Sequence, residues 1–134
     1  SDLLLPNNWK IVPLRNITQE RLIDTLAKSK IFLSFSNLEG IGIPPIEAAL
    51  SGNKVIGYIG GGGSEYWKKP IFIKVENGEI EDFAKKIIKN IKTYKKSWIK
   101  DSKTKRLNLA NYYSKKTERK SLILLSKKIL KFFN

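Results

Sequence analysis

Two glutamates, Glu39 and Glu47, stand with seven residues between them in the stretch NLEGIGIPPIEAALSGNKVIGYIGGGGSEYW, positions 37–67. A carboxylate accepts two or more hydrogen bonds from hydroxyl groups, so a spaced pair suits a hydroxyl-rich ligand. Between them the glycines leave the backbone N–H groups of Gly40, Ile41, Gly42 and Ile43 unshielded. Bare amides ahead of a helix start form an anion site, and phosphate is its natural guest. The carboxylates would repel that phosphate, so they must face another part of the ligand. A plainer reading stands beside this one: Glu39 is a loop carboxylate, Glu47 a helix-start residue favoured by the dipole, and neither meets a ligand. A glycine-rich turn alone does not choose between the two.

The elements that must hold these residues follow from local pattern. IFLSFS (31–36) is rich in bulky apolar groups, as a buried parallel strand should be. Glu39 follows it and so lies in a loop at the carboxyl end of a strand. PPIEAALSG (44–52) predicts a short helix, with the prolines in its opening turn and Gly52 as its stop. Glu47 then sits in the first turns of that helix. Prolines and glycines prevent a single helix from carrying both carboxylates. WKIVPL (9–14), KVIGYI (54–59) and PIFIKV (70–75) read as further strands. TQERLIDTLAKSK (18–30) reads as a helix with Thr18 as N-cap and Leu22, Ile23, Leu26 and Ala27 as its apolar stripe. Alternating strands and helices imply right-handed crossovers onto a parallel sheet. The expected fold is therefore α/β, a Rossmann-like parallel sheet flanked by helices, with a helical C-terminal part.

The second half changes character. Residues 79–100 carry apolar side chains at 80, 83, 84, 87, 88, 91, 94 and 98, which is helical spacing with lysines opposite. Further helical segments are expected at 103–114 and 117–132. We read one domain of 134 residues, with an α/β core over 1–78 and a basic, mainly helical segment over 79–134. Residues 1–67 hold six Lys/Arg and six Asp/Glu, whereas residues 68–134 hold twenty and six. Such a basic half can meet nucleic acid, an anionic membrane or phosphorylated ligands, or it can be a solvated face. The lack of any nucleic-acid motif, and of aromatics interleaved with the lysines, argues against nucleic acid. Residues 117–132, apolar on one side and basic on the other, are a candidate for an anionic membrane surface.

Composition narrows the chemistry. The chain has neither histidine nor cysteine, which excludes a Ser-His-Asp triad, an imidazole base and thiolate or imidazole zinc sites. Carboxylates, lysines, hydroxyls, tyrosines and backbone groups remain. LLL at 3–5 is too short for a signal sequence, and no apolar run approaches the roughly 20 residues of a membrane span. The start at Ser1 reads as that of a fragment. Tyr66 and Trp67 are expected in the core or at an interface. Glu65 is read as a contact to a ligand or the cap of a following helix, and Gly60 to Gly63 as a close approach or a flexible turn.

A ligand with a diphosphate in the middle and hydroxyl-rich rings at both ends meets the demands of amides and carboxylates together, and a nucleotide sugar is such a molecule. The run FLSFSNLEGIGIPPIEAALSGNKVIGY resembles the signature of retaining GT-B glycosyltransferases: a strand, Glu-Gly-aromatic-Gly, a Pro, a second Glu after seven residues, then Ala, a small residue, Gly and a strand. Ile41 takes the place of the aromatic, and Asn53-Lys54 that of the usual Thr-Pro or Lys-Pro. The Gly-rich turn before Glu65 is similar to the family's Gly-Gly-x-x-Glu stretch. The resemblance covers about positions 10–67. It implies the C-terminal, donor-binding domain of a two-domain enzyme. Glu39 matches the glutamate at the transferred sugar, and is the candidate catalytic residue. Gly40, Ile41, Gly42 and Ile43 match the loop that approaches sugar and diphosphate, and Glu47 matches the glutamate on the ribose hydroxyls. The resemblance further implies a nucleotide-diphosphate sugar as donor substrate, no metal or other cofactor, and an acceptor-binding N-terminal domain not represented here. Without that domain the fragment is expected not to turn over. The acceptor would be a glycan or a lipid-linked saccharide, and the location cytoplasmic or peripheral at the inner membrane face.

Overall fold

The computed structural model describes residues 5–6, 8–35, 45–58, 65–76 and 78–117. Among them the order is α1 (Gln19–Lys28), β1 (Ile31–Ser34), α2 (Pro45–Leu50), β2 (Lys54–Gly57), β3 (Phe72–Lys74), α3 (Ile80–Lys92), α4 (Trp98–Asp101) and α5 (Lys103–Thr117). The strands form one parallel sheet in the order β1-β2-β3, with Phe32 beside Val55 and Val55 beside Phe72. This is the expected α/β architecture, a partial Rossmann-like domain.

Strand alternation builds the layers, because successive side chains leave a strand on opposite faces. Phe32, Val55 and Phe72 point to one face, where Leu22 and Leu26 of α1, Ile46, Ala48, Ala49 and Leu50 of α2, Trp98 of α4 and Leu109 of α5 cover them. Ile31, Leu33, Ile56 and Ile73 point to the other, under Phe83, Ile87 and Ile91 of α3. Val55 and Ile56 of the middle strand are fully buried. The predicted helix α1 begins as expected, with Thr18 Oγ1 accepting from the Arg21 N–H at 3.2 Å. Trp67 is a core residue, and Tyr66 packs against the same cluster.

Residues 9–14 are not a strand. Leu5 and Trp9 pack with the α3 side and Leu14 with the opposite side, but among the described residues the segment pairs with none of the three strands. Trp9 is held by an edge-on contact with Tyr94 at 5.8 Å and by Lys30 above its ring. Ile11 and Val12 are left about half exposed. The continuous helix expected over 79–100 is also broken. It stops at Lys92, where Thr93 Oγ1 donates to Lys89 O, and resumes at Trp98. The break turns Trp98 back under the sheet, where its indole N–H donates to Gly52 O at 3.1 Å. Ile80, counted in the apolar stripe, is exposed at the helix start.

Candidate functional site

Of the residues singled out by sequence, Glu39, Gly40, Ile41, Gly42 and Ile43 lie outside the described residues, as do Gly60 to Gly63. Glu47 is described, and its surroundings can be built upward from α2.

α2 follows β1 and precedes β2, so its first turn lies toward the carboxyl ends of these parallel strands, where open α/β sheets take ligands. Glu47 stands in that turn and is half-buried. With six residues the helix is short, and its own dipole is correspondingly modest. Its far end is closed with care. Gly52 has φ +105°, a left-handed conformation that suits glycine as the helix stop. Ser51 donates to Glu47 O through both its N–H and its hydroxyl. Asn53, completely buried, donates through its side-chain amide to Ala48 O at 3.1 Å and to Leu26 O of α1 at 2.8 Å.

Arg106 reaches further carbonyls at that end. Its guanidinium, with no exposed surface, donates to Ala49 O at 2.9 Å, Gly52 O at 2.6 Å and Asn53 O at 3.2 Å, and also to Ser102 Oγ. It stacks on Trp98, 4.9 Å from the ring centre. A cation at a helix C-terminus is favourable, and the planar fork is suited to several carbonyls at once. Burial lowers the Arg106 pKa to about 10, which leaves it charged at neutral pH.

Two turns further along α5 come Tyr112 and Tyr113. Neighbours on a helix diverge by about 100°, so two adjacent tyrosines reach different partners. Tyr113 Oη donates to Glu47 Oε1 at 3.3 Å, and Tyr112 Oη donates to Glu65 Oε2 at 2.5 Å. The Glu65 bond, together with some burial and the nearby charges, raises the Tyr112 hydroxyl above the ordinary phenol value. No helix follows Glu65, since 65–71 are turns and irregular backbone, so the capping role weighed for it is replaced by this bond. α5 thus runs antiparallel to α2, holding its C-terminal end through Arg106 and its N-terminal carboxylate through Tyr113. Sequence reasoning missed Arg106, Tyr112, Tyr113 and Asn53. The one available signal was the Tyr-Tyr pair in a helix with no continuous apolar stripe.

Among the described residues no helix is long and apolar enough to cross a membrane. The membrane-surface segment expected at 117–132 lies outside the described residues except for Thr117, the last residue of α5. The sequence profile of the family described as glycosyl transferases group 1 matches residues 2–111. Searches of curated proteins and of solved structures give no match.

Proposed function

The chain belongs to the group 1 glycosyl transferases, and from that premise we propose that it binds a nucleotide-diphosphate sugar at the carboxyl ends of β1 and β2, for retaining transfer of the sugar to an acceptor glycan or lipid-linked saccharide. The observation that carries the reading is Glu47: a half-buried carboxylate in the opening turn of α2, oriented by Tyr113. A carboxylate held in this way is suited to the paired hydroxyls of a ribose. In this proposal Glu39 orients the transferred sugar and stabilises positive charge on it. The backbone amides of Gly40, Ile41, Gly42 and Ile43 receive the diphosphate. The acceptor is held by a second, N-terminal domain.

The chemistry required of such a site is modest. The anomeric C–O bond to the diphosphate breaks with oxocarbenium character, and the leaving group departs as a diphosphate anion. Catalysis comes from positioning the reactants and stabilising the departing charge, with no strong base needed. This is compatible with a chain that has no histidine or cysteine.

Calorimetric titration with ADP, GDP and UDP tests the ribose role. For whichever binds tightest, Glu47→Ala is expected to weaken affinity about 10- to 100-fold, the range for a hydrogen bond to a charged group. Equal binding by mutant and wild type would remove Glu47 from the site.

A further inference from the structure

We propose that Tyr113 is a positioning residue for the donor nucleotide: its hydroxyl fixes the carboxylate of Glu47 in the rotamer that meets the ribose, and α5 is the element that carries this setting. The inference rests on the ribose role of Glu47 proposed above and extends it to a residue outside the family-matched span, which ends at 111.

The argument begins with the freedom of a glutamate. Its terminal torsion is broad, so a carboxylate in an opening helical turn samples many directions unless another group restrains it. Tyr113 Oη, 3.3 Å from Oε1, supplies a restraint from a different helix. A phenol takes only one of the roughly four acceptor sites of a carboxylate, so a restraint of this kind is compatible with hydroxyl donors at the same group. Tyr113 can hold its place because α5 is itself fixed. Arg106, two turns earlier, is buried against three carbonyls at the opposite end of α2, and Leu109 lies in the core between them. The same helix therefore sets where α2 ends and where its first-turn carboxylate points. Tyr113 itself is half-buried, as expected of a group that packs on the domain while its hydroxyl reaches the site.

A merely structural Tyr113 and a positioning one differ in what they discriminate. Each variant is titrated with the tightest-binding of ADP, GDP and UDP and with its 2′-deoxy counterpart. Tyr113→Phe keeps the ring and removes only the hydroxyl. We expect it to weaken the ribonucleotide about 3- to 10-fold, the effect of one hydrogen bond. It should weaken the 2′-deoxynucleotide clearly less, and add nothing in the Glu47→Ala background, where the acceptor of its hydrogen bond is gone. Tyr112→Phe, which removes the neighbouring bond to Glu65, should leave the ribo-to-deoxy ratio unchanged. The proposal is overturned if Tyr113→Phe leaves the ribonucleotide unaffected, weakens both nucleotides equally, or keeps its full effect on Glu47→Ala. If Glu47→Ala alone retains the wild-type ribo-to-deoxy ratio, the ribose role of Glu47 fails and the positioning role with it. That arm reads the outcome even if Tyr113→Phe does not fold.

Discussion

Arg106 shows how a single side chain can hold a helix in register. Its donors satisfy Asn53 O and add to the bonds that Ala49 O accepts from the Gly52 N–H and Gly52 O from the Trp98 indole, all in a dry interior. Arg106→Met should lower unfolding stability by about 3–5 kcal/mol, because a fully buried hydrogen-bond network is broken at several points at once. Arg106→Lys should recover less than half of that loss, since an ammonium cannot span three carbonyls as the planar fork does. Urea unfolding would check both, and a wild-type midpoint for the lysine variant would refute the argument. None of this was legible in the sequence, where Arg106 reads as one more charge in a basic half. Its acceptor Ala49 lies 57 residues away, and the partner of Tyr113 lies 66 away. Local pattern carries no information at that separation. Glu47 was legible, because the prolines before it fix a helix start, and Gly52 after it the stop, by backbone chemistry alone.

At the scale of elements, the crossover from β1 through α2 to β2 was readable from apolar runs, Pro and Gly. The failures have a common cause. Residues 9–14 have strand composition, but Trp9 is taken up by Tyr94 and Lys30 and the segment does not join the sheet. Residues 79–100 have unbroken helical periodicity, yet Trp98 is needed beneath Gly52. In both cases tertiary packing overrode a correct local preference. The carboxyl end of β2 has its own constraint. At Gly57, φ is +154°, and a Cβ there would come within 2.0 Å of Ser34 O in the neighbouring strand. That carbonyl already accepts from the Tyr58 N–H at 3.0 Å. Gly57→Ala should therefore force β1 and β2 apart at the end that leads toward the candidate site. We expect a loss of about 2–4 kcal/mol, typical of backbone strain without room to relax. Nucleoside-diphosphate affinity should fall as well. Thermal unfolding and the same titration would measure each; an unchanged melting temperature would show that the strands tolerate the methyl group.

For the whole molecule, the tyrosines carry a prediction about pH. Burial raises Tyr66; burial also raises Tyr94, with Arg106 opposing; the bond to Glu65 raises Tyr112. A phenol whose folded pKa lies above its unfolded one adds stability that is complete below the unfolded value of 10.0 and is lost as pH rises through the folded value. The tyrosine contribution to stability should thus decline above about pH 10, while Arg106, lowered to about 10, contributes in the opposite sense. Ultraviolet titration should show at least three of the five tyrosines ionising later in the native protein than in urea. Coincident titration curves would count against these environments. The α/β class, the parallel sheet and the position of one glutamate came from the first half of the chain, whereas the parts that hold that glutamate came from the second. One arrangement of those parts has an optical consequence. Trp98 has the charges of both Lys54, at 4.7 Å, and Arg106, at 4.9 Å, against its ring, while its indole N–H shares Gly52 O with that same arginine. Its excited state is therefore formed where α2, α4 and α5 meet, close to two cations. With Trp9 and Trp67 replaced by phenylalanine, the colour of this one indole's emission becomes a label-free gauge of whether α5 is seated.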